Sequence, residues 1–210
     1  DQPLYVENPI QFPDYGQIVK VEEPFMLAKM TLPNEMLNDI MRLAEGRRGE
    51  LVDLATIGSM LMVTYRMPIS EIAYDFFNEL KSASHGFATL STEFDSYQES
   101  DLVRIDIAVD YAKVDALTFV MHRSKVDRVG NEIVSKLKDL IPRKLQSMPV
   151  QAIVEGRAIS RADVPPLRKA QASGTKVSKK QQQLRRQGQK KSDIELPQAV
   201  FDAILDMNSN

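Results

Sequence analysis

The chain has no cysteine, no tryptophan and only two histidines in 210 residues. Without cysteine there is no disulfide framework, no thiol catalysis and no Cys-ligated zinc or iron–sulfur centre. With His85 and His122 alone, a metal site would be mostly carboxylate and Ser–His–Asp chemistry is poorly supplied. No stretch approaches the roughly 18 apolar residues of a membrane-spanning helix. Neither G-x-x-x-x-G-K-[ST] nor G-x-G-x-x-G occurs, so no phosphate cradle is expected. Gly46-Arg47-Arg48-Gly49 is a turn with two cations, too short for a P-loop. The chain opens at Asp1 with neither an initiator Met nor a signal-peptide pattern, and the expectation is a piece of a longer protein.

What is present is ordinary in bulk and uneven in distribution. With 43% apolar and 27% charged residues, the length suits one large or two small globular domains. Residues 1–156 carry 16 basic and 24 acidic side chains, a balance of −8. Residues 157–191 carry 11 basic side chains and one acid, Asp163, a balance of +10. Residues 192–210 return to −4. Such segregation points to a polyanionic partner met by one segment, and its bland alternative is a solvated basic loop.

The periodicities define an order of elements. Residues 1–22, with Pro3, Pro9 and Pro13, read as an extended lead-in or linker. Phe25 to Leu32 reads as a strand, and Pro33 suits the first position of a helix carrying Leu37, Ile40, Met41 and Ala44. Leu51 to Leu54 and Ser59 to Met67 read as strands. Ser70 suits the cap of a second helix with Ile72, Ala73, Phe76 and Leu80, and Phe87 to Phe94 closes the set. The order β-α-β-β-α-β predicts a ferredoxin-like split domain over 23–99. Residues 100–210 predict a second, smaller α+β domain. Its strands are Leu102–Val109, Val114–Met121 (joined by a turn at Asp110–Lys113) and Val150–Val154, with a helix from Val126 to Leu140 stopped by Pro142. Residues 170–192 lack aromatics and hold only two large aliphatics, so a flexible basic loop is expected there. Leu196, Pro197, Val200, Phe201, Ile204 and Leu205 describe a short amphipathic C-terminal helix.

Chemistry for turnover is thin. Asp75 and Glu79, four apart on one helix face, read as surface acids, the ten methionines as packing, and His85 and His122 as structural. No catalytic or metal-ligating residue is assigned. The candidates to meet that polyanionic partner, RNA if the resemblance below holds, are Arg157, Arg161, Arg168, Lys169, Lys176, Lys179, Lys180, Arg185, Arg186, Lys190 and Lys191, with Arg47 and Arg48 as a secondary contact. Their expected role is to pair with phosphates and release counterions, positioning without reading sequence.

Several stretches carry a family likeness. Val21-Glu22-Glu23-Pro24-Phe25, Leu32-Pro33-Asn34-Glu35 and Glu45-Gly46-Arg47-Arg48-Gly49 resemble the fifth domain of translational GTPases. Pro68-Ile69-Ser70-Glu71-Ile72, Tyr74-Asp75-Phe76-Phe77, Gly86-Phe87-Ala88, Glu99-Ser100-Asp101-Leu102-Val103, Val114-Asp115-Ala116-Leu117, Leu140-Ile141-Pro142-Arg143 and Ile194-Glu195-Leu196-Pro197-Gln198-Ala199-Val200-Phe201 narrow it to the LepA, or elongation factor 4, family. The resemblance implies a ribosome-associated GTPase, with GTP and Mg2+ belonging to a nucleotide-binding domain outside these residues. It implies ribosomal RNA and tRNA as partners, a role in back-translocation or fidelity, and a cytoplasmic location with peripheral association at the inner membrane face. No oligomer is implied. After Leu167-Arg168-Lys169 the family usually continues with a Cys-Tyr-Gly-Gly-Asp stretch, whereas this chain has Ala170-Gln171-Ala172-Ser173-Gly174-Thr175-Lys176. The turn at Asp110-Tyr111-Ala112-Lys113 lacks the family's usual glycine. These departures suggest a diverged paralogue with altered tRNA contacts. The alternative readings are a general RNA- or anionic-membrane-surface-binding module, and a protein-interaction domain without RNA contact.

Overall fold

A computed structural model describes residues 3–73, 75–167 and 196–208. They form two units, one of Gln17–Asp101 and the other of residues 3–16 together with Leu102 onward.

In the first unit the elements run β1 (Glu22–Pro33), α1 (Leu37–Gly46), β2 (Glu50–Ile57), β3 (Met60–Pro68), α2 (Ile69–Ile72), α3 (Phe76–Ala83) and β4 (Thr89–Glu99). The strands form one antiparallel sheet in the order β2-β3-β1-β4, with Ala28 opposite Tyr65 on one side and Thr92 on the other. This is the ferredoxin-like order expected from the sequence. Both longer helices bury their stripes on one sheet face: Ile40 and Ala44 of α1 and Phe76 and Leu80 of α3 join Met30, Leu32, Val63, Tyr65 and Met67 in one core. Spacings of four within a helix and two along a strand put these residues on single faces.

The second helical region differs from expectation. Pro68 occupies the cap position, α2 lasts a single turn, and the chain restarts at Asp75, whose φ of 36° is left-handed. Ser70 does not cap; its hydroxyl donates to the Glu23 carboxylate at 3.2 Å. A buried carboxylate in need of donors has overridden a local capping preference. Pro33 likewise sits one step outside the helix, as the cap of a 3-10 turn over Asn34–Met36.

The second unit adds β5 (Leu102–Val109), β6 (Ala112–Lys113), β7 (Phe119–His122), α4 (Val126–Leu140), β8 (Met148–Val154), β9 (Arg157–Val164) and α5 (Gln198–Asn208). Its sheet order is β6-β5-β8-β9, with β7 pairing the other half of the β5 edge that β6 occupies. The single strand expected from Val114 to Met121 is therefore two short strands separated by a 3-10 turn at Asp115–Leu117. One sheet face is covered by α4, through Val129, Ile133 and Leu137, and by α5, through Val200 and Ile204. Residues 8–16, read from sequence as lead-in, group with this unit: Phe12 is buried and its carbonyl accepts from Arg104 Nη1 at 2.7 Å. Alternation and turn signals do not reveal this, because a single buried aromatic in a proline-rich stretch has no period.

Gly49 marks a close approach that no side chain tolerates. Its N–H donates to the Ala44 carbonyl at 2.8 Å, and an added Cβ would stand 2.6 Å from that oxygen and 3.0 Å from the Tyr65 ring. Gly46, three residues earlier, has open space around it. Thermal denaturation of G49A is expected to show a loss of about 1–3 kcal/mol from overpacking. G46A should be neutral or slightly stabilising, since alanine favours a helical end by up to about 1 kcal/mol. Equal behaviour of the two variants would contradict this packing.

Candidate nucleic-acid interface

The basic stretch begins inside the folded unit. Arg157 and Arg161 lie on β9, which residues 157–164 form by pairing along β8. The strand was hidden in the sequence because a bulge opposite Ala152/Ile153 inserts Ile159 and breaks the alternation. The bulge also decides where the two cations go. Arg161 partners Gln151 and Arg157 partners Val154, positions an odd number apart on β8, so the two arginines leave the sheet on opposite sides. Arg161 pairs with Asp163 at 3.1 Å and lies over the Tyr111 ring, 5.8 Å from its centroid. The Asp163 carboxylate, then the Tyr111 hydroxyl, raise its pKa above the ordinary arginine value. Arg168, Lys169, Lys176, Lys179, Lys180, Arg185, Arg186, Lys190 and Lys191, and the loop expected over 170–192, lie outside the described residues.

Arg47 and Arg48 belong to the first unit and are engaged by carboxylates. Glu23 is 4% exposed, and Arg48 donates to it from Nη1 at 2.6 Å and from Nη2 at 3.2 Å. The same guanidinium reaches Glu71 through Nε at 3.0 Å. Ser100 Oγ donates to the Glu23 carboxylate at 2.6 Å and Ser70 Oγ at 3.2 Å. Arg47 pairs with Glu79 at 2.8 Å and approaches Glu71 at 4.0 Å. Burial disfavours the charge on Arg48, but Glu23 and Glu71 outweigh it and raise its pKa. Both arginines, suggested by the sequence as a secondary RNA contact, thus have carboxylate partners within the unit.

The two histidines have local surroundings. His122 ends β7, and its Nδ1 accepts from the Ser124 N–H at 3.3 Å. His85 sits in a left-handed conformation just after α3. Two exposed cations that the segment count passed over, Arg143 and Lys144, stand in the loop between α4 and β8. The sequence signal for them was available: a helix-stopping proline followed by two cations with no acid before Met148.

Two family models match along the chain. Residues 20–108 match the elongation factor G C-terminus. Residues 109–206 match the C-terminus of the GTP-binding protein LepA. Among curated proteins, "Elongation factor 4 2" of Lactiplantibacillus plantarum is 48% identical over 98% of this chain and 36% of its own length. "Elongation factor 4" of Bacillus cereus is 36% identical over 99% of this chain and, again, 36% of its own length. The chain belongs to the elongation factor 4 (LepA) family.

It spans about a third of the length of the elongation factor 4 relatives it matches. The two family models meet inside β5, whereas the pairing of that whole strand with β8 and β7 assigns it to the second unit. Among the described residues no group of three or more histidines or carboxylates could hold Mg2+, and the sequence has no phosphate-cradling glycine motif. No step is therefore assigned to GTP or Mg2+ in these residues. Among the described residues no helix is long and apolar enough to cross a membrane.

Removing one partner of a buried ion pair strands the other, at a cost of about 3–5 kcal/mol. E23A is expected to lower the stability of the first unit by that amount. K29A, which deletes an exposed pair with Glu93 at 2.8 Å, should change it by no more than about 1 kcal/mol. Chemical denaturation followed by circular dichroism checks both; a small effect of E23A would mean that the carboxylate cluster is not a structural clamp.

Proposed function

We propose that this chain is the ribosome- and tRNA-facing C-terminal part of a translational GTPase, and that residues 157–191 supply the RNA contact. The observation that carries the reading is the charge segregation: +10 over those 35 residues against −8 over the preceding 156. A run of lysine and arginine neutralises backbone phosphates and recognises structured RNA by shape, since A-form grooves hide base edges from side chains. Domain 23–99 is then the fifth-domain-like scaffold and domain 100–210 the family-specific one, to which residues 3–16 also belong. GTP hydrolysis with Mg2+, back-translocation or translational fidelity, and a cytoplasmic location are the whole-protein activities that go with this reading. The departures after Lys169 favour tRNA contacts altered from those usual in the family.

The membrane-surface reading is weaker, because residues 157–191 contain no Trp, Phe or Tyr to insert at a lipid interface. A protein-interaction role without RNA predicts that the basic segment is dispensable for binding.

The test is binding of ribosomes and of bulk tRNA across a salt series, with the intact chain and a variant lacking residues 170–192. The deletion removes Lys176, Lys179, Lys180, Arg185, Arg186, Lys190 and Lys191. A steep salt dependence is expected for the intact chain. In the deletion variant the slope of log K against log salt should be shallower by roughly 0.7–0.9 for each phosphate no longer neutralised. An unchanged slope would remove the segment from the interface.

A further inference from the structure

Strand register gathers three connections at one end of the second unit's sheet. Val109, the last residue of β5, lies opposite Val150 near the start of β8; Val150 lies opposite Ala162 and Met148 opposite Val164 on β9. The Asp110–Tyr111 turn, the 142–147 loop and the exit from β9 through Pro165, Pro166 and Leu167 therefore emerge together. Backbone bonds pin them there. Asp110 N–H donates to the Pro149 carbonyl at 2.8 Å, Leu167 N–H to the Lys144 carbonyl at 2.8 Å, and Ser147 Oγ to the Val164 carbonyl at 3.2 Å.

The side chains at this end are unusual for a connection. Tyr111 is 66% exposed with φ of 65°, and Asp110 beside it has φ of 51°. A two-residue hairpin turn with both φ positive favours glycine or asparagine. The sister turn between β8 and β9, Glu155–Gly156, has φ of 51° and 76° and does use glycine. Tyr111 thus holds a large ring at a strained position; the Arg161 guanidinium lies 5.8 Å from its centroid, and the ring stays largely exposed beyond that contact, which points to a further use of it. Leu145 and Leu167 are 70% and 52% exposed. Arg143 and Lys144 are exposed, lie in a loop without an acid, and have no carboxylate partner among the described residues. Arg47, Arg48, Arg66, Arg104 and Arg161 are paired with acids; Arg42, Lys81, Lys138 and Arg157 are in no ion pair among the described residues either, so it is the place of Arg143 and Lys144 at this sheet end that sets them apart.

We propose that this end of the sheet is a preformed RNA contact, with Arg143 and Lys144 on backbone phosphates and the Tyr111 ring stacking on a base or ribose. The inference rests on the RNA-binding reading above and adds a folded landing to it. Exposed cations outside any ion pair, at the same sheet end as an exposed ring, are what a nucleic-acid strand uses, and every base presents a face to stack. Continuity supports the same occupant, because Leu167 directly precedes Arg168, the start of the denser basic run.

The experiment measures binding of fluorescein-labelled bulk tRNA to the 210-residue chain over a salt series, alongside its melting temperature. The R143A/K144A double variant is expected to bind several-fold more weakly at low salt, with the slope of log K against log salt lowered by up to roughly two. Y111G should lose about fivefold or more in affinity without a fall in melting temperature, because relief of the turn strain offsets loss of the exposed Arg161 contact. Y111F, which keeps the ring, should bind as the parent does. Loss of affinity without loss of stability in Y111G is a signature that a merely structural tyrosine does not give. If the parent binds with a steep salt dependence and these variants match it, this inference fails while the basic-segment reading stands. If the parent chain binds neither tRNA nor ribosomes, both fail.

Discussion

The buried Glu23 carboxylate is the constraint around which the ferredoxin-like unit closes. It sits near the start of β1 and takes donors from three other places: Arg48 in the turn after α1, Ser70 after β3 and Ser100 at the end of β4. A carboxylate and a guanidinium out of water are tolerable only if nearly every lone pair and proton is used. Meeting that demand fixes the α1–β2 turn in a left-handed conformation at Arg48 and brings the first turn after β3 against the start of the sheet. That demand takes up Arg48, while Arg47 and Arg66 answer other acids of the unit, Glu79 and Asp95.

The second unit is arranged the other way. Its sheet buries one face against α4 and α5, and its local charges on β5 and β6 are self-satisfied, with Asp106 held between Arg104 at 3.1 Å and Lys113 at 2.7 Å. The excess cations occur beyond that framework, in the 142–147 loop and the run that leaves β9. Leu167 is tied by its backbone bond to the Lys144 carbonyl, and Leu196 packs against the core that holds Val200 and Ile204.

Much of this was legible in the chain itself. Leu102–Val109 and Val126–Leu140 agree with the sequence reading to the residue, since each has one uninterrupted period and a clear stop. The ferredoxin-like order was visible for the same reason. What escaped were features created by partners distant in sequence. Ser70 looks like a cap until Glu23, 47 residues away, claims its hydroxyl. Arg47 and Arg48 look like free cations until Glu23, Glu71 and Glu79 fold against them. β9 was invisible because a one-residue bulge erases the period of two. The exposed pair Arg143 and Lys144 does not stand out by charge, because the 156 residues around and before it balance at −8.

If the second unit carries the RNA contact proposed above, the two units should differ in how a bound ribosome shields their lysines, and lysine reactivity reads that difference directly. The chain would be modified with an amine-specific reagent alone and with saturating ribosomes at low salt, and each lysine read by mass spectrometry. The expected result is protection of Lys144 and of the lysines from Lys169 to Lys191, with Lys29 and Lys81 reacting as before. Protection concentrated at Lys29 and Lys81, with the basic run unchanged, would contradict the division.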